Sequence, residues 1–411
     1  MEIRPILSTL RRHKLTATLL VLQVAFTCAI VCNVAFMIAN RLHTVSLPSG
    51  LAEDQLSVIA SEGVGKDKNP WAQHQADLAA LRAIPGVESV VAVGSSLPLN
   101  KNESSYGTCP SQQALDRAMQ IMSMQGTSCI EPSVYDGSPG LIATLGLHLV
   151  AGRDFRPDEY VVGQKTPPVA IISRALAQRL FPGQHALGKE LYVGHRIIRV
   201  VGVVGTLLAP NLHGPGKNYD TMIWPQSPDG AGVRYVLRSP PQDRARVLEA
   251  AKTTLLKVDR SRIIKPKYMR TYTQIRAAYF QRDTTMIDLL IASALGLLFV
   301  TAIGITGLAS FWVQQRTRSI GIRRALGATR ADILRYFQTE NFLIVTGGIV
   351  LGVILAVGLN LLLMKHYELA RLPLWYLPVG AVALWLLGQL AVLVPALRAS
   401  NVPPVVATRT V

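Results

Sequence analysis

Four apolar stretches limit what this chain can become. Residues 15–39, 286–313, 342–364 and 375–397 are each long and nearly uncharged. Crossing a bilayer takes about 20 such residues at ~1.5 Å rise per residue. Inside lipid the backbone must satisfy its own hydrogen bonds, which leaves helices as the form for single runs of this kind. The expected class is therefore an α-helical membrane protein with four transmembrane helices. Between the first two runs lie roughly 245 residues of ordinary globular composition, enough for one large or two small domains. Overall the 411 residues are 49% hydrophobic and only 16% charged, a pairing that soluble domains rarely show.

The net charge of +17 invites a nucleic-acid partner, but its placement argues against one. Arg4, Arg11, Arg12 and Lys14 precede the first run. Six arginines lie between the second and third, and Arg398 and Arg409 follow the fourth. The short turn between the third and fourth runs holds Lys365 and Arg371 with Glu368. The positive-inside rule then puts both termini and the central basic segment in the cytoplasm, and residues 40–285 outside. No nucleic acid is expected. The first run exceeds a signal-peptide core and no A-x-A site follows it, so a retained anchor is expected. Within residues 1–14, Ile3, Ile6, Leu7 and Leu10 fall on one side. Arg4, Arg11 and Arg12 are then free for lipid phosphates, which suggests an amphipathic interfacial helix.

The segment 314–341 is the main functional clue. From Gln314 to Glu340 it reads QQRTRSIGIRRALGATRADILRYFQTE, with six arginines against one aspartate and one glutamate. Ile320, Ile322, Leu326, Ile333, Leu334 and Phe337 recur at helical spacing, so it is no slack linker. Gly327-Ala328-Thr329-Arg330 should break it into two short helices. An exposed apolar edge of Ile333, Leu334 and Phe337 would suit a groove on a cytoplasmic partner. Some arginines would also meet anionic lipid headgroups.

Outside the membrane, two stretches look like copies of one β-α-β unit. One runs through a strand at 55–60, a helix at 71–84 and a strand at 87–93. The other runs through 233–238, 242–258 and 262–267, with Pro85-Gly86 and Pro240-Pro241 as punctuation. Together they would make an α+β, ferredoxin-like sheet over 52–94 and 232–268, with 95–231 as an inserted subdomain. That insertion should hold strands at 169–172, 191–193 and 196–204, and helices near 112–125, 141–145 and 174–181. A helix over 271–283 should run into the second span with no Gly or Pro between them, giving a rod that passes motion mechanically.

Catalytic motifs are wanting. Gly183-Gln-His-Ala-Leu-Gly188-Lys189-Glu190 nearly matches a P-loop, but Glu190 replaces the magnesium-binding Ser or Thr and would repel phosphate. A turn leading into a strand is the better reading. His148, His185, His195 and His213 lack metal-site spacing, and no G-x-S-x-G elbow occurs. No enzyme activity, metal or cofactor is expected. Cys28 and Cys32 read as small packing residues in the first span. Cys109 and Cys129 would close a disulfide in an oxidising compartment, and the sequence leaves their pairing open. Gly348 and Gly352 form a small-xxx-small pattern that serves either packing within the chain or a dimer seam. Gly296, Gly304 and Gly307 repeat the theme in the second span. Gln23 and Asn360 should hydrogen-bond between helices, and Asp288 should cap a helix or face water.

The motifs RTRSIGIRRALGATRADILRYFQTE at 316–340, LGLHLVAGRDF at 145–155, PVAIISRALAQRLFPGQHALGKELYVGHRIIRVVGVV at 168–204 and PALRASNVPPVVATR at 395–409 resemble those of FtsX-like permeases of MacB-type ABC transporters. The resemblance covers nearly the whole chain. It implies four spans, an external MacB-like core over 40–285, and an FtsX-like permease domain over 286–411 with a cytoplasmic tail at 398–411. It implies a multi-pass protein of the bacterial cytoplasmic membrane. It further implies mechanotransmission: a cytosolic ATPase drives a pair of permease chains, homo- or heterodimeric, for export on the outer side. A periplasmic adaptor and outer-membrane channel are further partners the family allows. With about 14 residues before the first span, the ATPase is expected on another chain. By resemblance the coupling helix covers Thr329, Arg330, Ile333, Leu334 and Phe337, preceded by Arg323, Arg324, Gly327 and Ala328. Ser319 and Thr408 depart from the family's usual acid and leucine. A lipoprotein-release permease and a non-transporting regulator of an external cell-wall hydrolase share the architecture.

Overall fold

The computed structural model describes residues 14–63, 69–163, 166–214, 216–230, 232–367 and 373–401. The expected interfacial helix at 1–12 and most of the C-terminal tail lie outside them. The chain forms two compact units, Met1–Ser46 with Arg282–Val411, and Leu47–Gln281.

Among the described residues, four helices are long and apolar enough to cross a membrane: Lys14–Val45, Tyr272–Gln315, Arg330–Leu362 and Tyr376–Ser400. The first is the central packing element, with Val24, Cys28 and Cys32 buried against the others. Glycines let the third span close on it. A Cβ at Gly348 would sit 2.7 Å from the Cβ of Val24, and one at Gly352 2.5 Å from that of Cys28 and 2.8 Å from the Ala25 carbonyl oxygen. Within one chain the small-xxx-small pattern therefore lets the third span pack closely on the first. Gly304 abuts the Gln23 amide, whereas Gly296 and Gly307 face open space. Polar side chains bridge helices where no water competes. Gln23 donates to the Val300 carbonyl at 3.4 Å, Asn33 to that of Ala356 at 3.1 Å, and the Thr27 and Thr301 hydroxyls meet at 2.8 Å. Arg41 and Asp283 form an ion pair at 2.5 Å between the first and second span helices. Asp288 is exposed within the helix Tyr272–Gln315, so it caps nothing.

The second unit holds two main sheets. The first runs Arg262–Ile263, Leu56–Gly63, Gly232–Arg238, Ser89–Val93, with Met269–Thr271 also on Leu56–Gly63. Helices Pro70–Arg82 and Arg244–Val258 cover one face through Leu78, Leu81, Val247 and Leu255, which pack on Ile59, Tyr235 and Leu237. Asn69 caps the first helix by accepting the Ala72 N–H at 3.1 Å. Beneath these helices Arg262 grips Asp77 with two bonds of 2.7 and 2.9 Å, and the Tyr235 hydroxyl donates to the same carboxylate at 2.6 Å. The strand expected over 262–267 is shorter, ending at Ile263. Pro266 has no N–H to give a ladder and opens a 3₁₀ turn instead.

The second sheet is built on Arg196–Val204, which pairs antiparallel with Glu190–Val193 and Leu149–Gly152 and parallel with Val169–Ser173. Thr221–Trp224 and Ser133–Asp136 extend it. Val58, Val91, Tyr135, Ile171, Val236 and Tyr272 bury together between the two sheets. The helix expected over 112–125 stops at Gln120, because Met122 turns left-handed at φ 48°. Cys109 and Cys129 are joined in a disulfide beside that helix. The P-loop-like stretch follows helix Arg174–Leu180 and enters a strand at Glu190, the reverse of a strand–loop–helix phosphate cradle. Asp136 ends its strand in a buried place made by Gly94, where a Cβ would lie 2.3 Å from the carboxylate. Burial pushes this carboxyl up to about 6.

Candidate coupling segment

Helix Tyr272–Gln315 stops at Arg316, and a short helix Thr317–Ala325 follows. Its end is fixed by backbone geometry. Gly327 takes φ 101°, its N–H bonds the Arg324 carbonyl at 3.1 Å, and the Ala328 N–H bonds that of Arg323 at 3.0 Å. This paired closure suits glycine because a Cβ resists a left-handed backbone. Thr329 and Asp332 then start the next helix reciprocally. The Asp332 N–H bonds the Thr329 hydroxyl at 3.2 Å, and the Thr329 N–H bonds the Asp332 carboxylate at 3.0 Å.

The second helix is not short. It begins at Arg330 and continues unbroken to Tyr367, so the segment's C-terminal half is the first turns of the third span. Nor does the expected apolar edge face outward. Ile333 and Phe337 are each 5% exposed and pack with Ile320, Trp312 and Ile344 in the bundle core, with Leu334 partly buried beside them. Their helical spacing is satisfied inside the chain. The exposed apolar side chains of the segment are Ile322 and Leu326, the latter 84% exposed at the end of the short helix. Around them Arg323, Gly327, Thr329 and Arg330 are exposed, and Arg324 and Ala328 half-buried. Arg323 lies 4.9 Å over the Tyr336 ring, and Arg324 donates to the Ser400 carbonyl at 3.1 Å. The surface is thus a hydrophobic knob ringed by arginine.

One anchoring pair escaped the sequence. Arg316 donates to both carboxylate oxygens of Glu340, at 3.0 and 2.7 Å, and stacks 6.0 Å over Trp312. Glu340 is buried. The available signal was that Glu340 is the sole glutamate in the segment, but no periodicity pairs residues 24 apart. Ser319, at the family's acidic position, donates to the Arg316 carbonyl at 2.9 Å.

The profile of the MacB-like periplasmic core domain matches residues 15–252, and that of the FtsX-like permease C-terminal matches residues 291–404. The uncharacterized ABC transporter permease YvrN of Bacillus subtilis is 24% identical over 414 aligned residues, covering 97% of this chain and 96% of that one. The uncharacterized ABC transporter permease YknZ of the same organism is 25% identical, covering 66% and 68%. The macrolide export ATP-binding/permease protein MacB of Nitrosomonas europaea is 28% identical over 68% of this chain, and the match spans only 43% of that longer protein.

Proposed function

The chain belongs to the family of ABC transporter permeases that join a MacB-like periplasmic core domain to an FtsX-like permease C-terminal, and from that premise we propose that it is a permease subunit working by mechanotransmission. A cytosolic ABC ATPase on another chain binds the arginine-ringed knob at Ile322 and Leu326. Its closure moves the span helices, and the external unit does the work of export or efflux outside the membrane. The observation that carries this reading is the knob itself. An ordered, basic, exposed apolar projection between two spans has no use within its own bundle, because the bundle's needs are met by Ile320, Ile333 and Phe337.

Four further features support it. Helix Tyr272–Gln315 is unbroken over 44 residues, a stiff element on which to transmit a push. Only 11% of its membrane window is buried, against 50% for the first span, which leaves a face for lipid or a second permease chain. By the positive-inside rule, the basic flanks favour a cytoplasmic side for both termini and the knob. The sheet order Arg262–Ile263, Leu56–Gly63, Gly232–Arg238, Ser89–Val93 suits a ferredoxin-like porter with 95–231 inserted. A periplasmic adaptor and outer-membrane channel are compatible additional partners.

Affinity purification of the full chain from its native membranes should retain an ATP-hydrolysing subunit. Leu326→Asp should release that subunit while the chain stays inserted and folded. Undiminished retention with Leu326→Asp would overturn the docking assignment.

A further inference from the structure

A cleft in the external unit gathers four basic side chains with no carboxylate in its lining. Its volume is about 290 Å³, at the small end of ligand sites, which run from ~300 to ~1,000 Å³. Val58 and Ala60 form its floor. They are alternate residues of one strand and so share a face. The antiparallel registers set Arg270 opposite Val58 and Arg234 opposite Ala60, so both arginines rise from that same face. A second wall is one side of helix Tyr272–Gln315, through Ile275, Ala278 and Tyr279.

The third wall is the loop 97–102. Leu97 and Leu99 are buried there, while Lys101 is exposed. Leu99 and Lys101 both adopt left-handed backbone, at φ 63° and 66°, which L side chains seldom do. The loop is pinned in this shape by Asn100, which donates to the Ser95 carbonyl at 2.8 Å, and by the Tyr272 hydroxyl, which donates to the Pro98 carbonyl. Strain of this kind persists only where the surroundings enforce it, and it gathers at ligand sites.

Lys101, Arg234, Lys267 and Arg270 line the cleft, and no aspartate or glutamate does. Among the described residues none of the four takes part in an ion pair. Glu62, whose charge reaches Arg234, is engaged by Lys265 at 3.2 Å. Two of the cations rest on rings: Lys101 lies 5.6 Å over Tyr279 and Lys267 4.7 Å over Tyr268. Arg234 is half-buried, with a 3.4 Å bond to the Gly94 carbonyl. Converging like charges over a low-dielectric apolar floor raise the local potential and draw in anions.

We infer that this cleft binds a small, single-chain anionic amphiphile, with a phosphate or carboxylate head on the four cations and an apolar body over Val58, Ala60, Leu97 and Ile275. The cleft's volume matches one short chain, and a bare anion would have no use for the apolar floor. The site stands on its own geometry and holds whether or not an ATPase docks on the other unit. A ligand seated there touches Ala278 and Tyr279, on the helix that continues as the second span.

Decyl phosphate is the probe. Full-length protein in phosphatidylcholine nanodiscs, titrated calorimetrically with protein-free discs as blank, should show one saturable site. Inorganic phosphate and decyl maltoside should each bind at least ~10-fold more weakly, since each lacks one half of the recognised chemistry. Arg234→Gln with Arg270→Gln should weaken decyl phosphate at least ~10-fold through lost charge-assisted bonds. Ala278→Trp keeps every cation, sits at an exposed rim position and should block the cleft, so it serves if the double arginine variant folds poorly. Uptake no greater than the blank, equal binding of decyl maltoside or of inorganic phosphate, or wild-type affinity in both variants would each overturn the site.

Discussion

Arg316 and Glu340 close the base of the basic segment, the guanidinium meeting both carboxylate oxygens at 3.0 and 2.7 Å with little solvent access. The pair joins the end of one span helix to the start of the next. The knob at Ile322 and Leu326 lies in the chain between these two anchored points. A buried pair of this kind adds little net stability compared with apolar residues, but losing one partner strands a charge.

Glu340→Ala should therefore destabilise the detergent-solubilised chain by about 3–5 kcal/mol, read as a lowered thermal midpoint. Arg316→Met with Glu340→Leu should recover most of that loss. A double variant as unstable as the single one would show that the pair acts through something other than a stranded charge.

Gly352 should tolerate no side chain, because the first span's Cys28 and Ala25 stand where a Cβ would go. Gly352→Leu should cost roughly 1–3 kcal/mol or more by overpacking. Gly307→Ala, in open space, should be near neutral. Equal effects at the two positions would contradict packing within one chain.

Half-buried Asp136 makes stability fall with rising pH. Its folded pKa, about 6, stands above the ordinary 3.8 because burial disfavours the charge. Its stabilising contribution is full below the unfolded value and is lost as pH climbs through the folded one, by about 3 kcal/mol at most. Asp136→Asn removes the titration. Its melting temperature should match wild type near pH 4 and exceed it increasingly toward pH 7. A constant gap across that range would count against the assignment.

Asp77, Arg262 and Tyr235 form a closed polar cluster under the helices of the first external sheet. Asp77→Ala should cost about 3–5 kcal/mol by leaving Arg262 buried alone. Tyr235→Phe should cost about 1.5–3 kcal/mol, the worth of one bond to a charged group. Similar losses for both would mean the arginine is solvated in the variant.

Sequence revealed most of the scaffold because its signals are long or periodic. The four apolar runs, the uninterrupted entry of 271–283 into the second span, and the two β-α-β units all rest on residues close together in the chain. What escaped depends on contacts across it. The stripe of Ile320, Ile333 and Phe337 announces a buried face, but periodicity cannot say whether its own bundle or a partner buries it. Arg316 and Glu340 look like two surface charges until the helices between them fold back. Gly348 and Gly352 announce a close approach without naming the neighbour. The cationic cleft draws on strands, a loop and a helix separated by some 180 residues from Val58 to Arg234 and beyond, so no local pattern marks it.

The most direct test places a photo-crosslinking amino acid at position 326 in the full chain within living cells. An adduct with an ABC ATPase is expected from position 326 and from 322, and none from the buried positions 333 and 337. Adducts only from the buried positions, or labelling of position 326 by a membrane-impermeant reagent added outside intact cells, would contradict it.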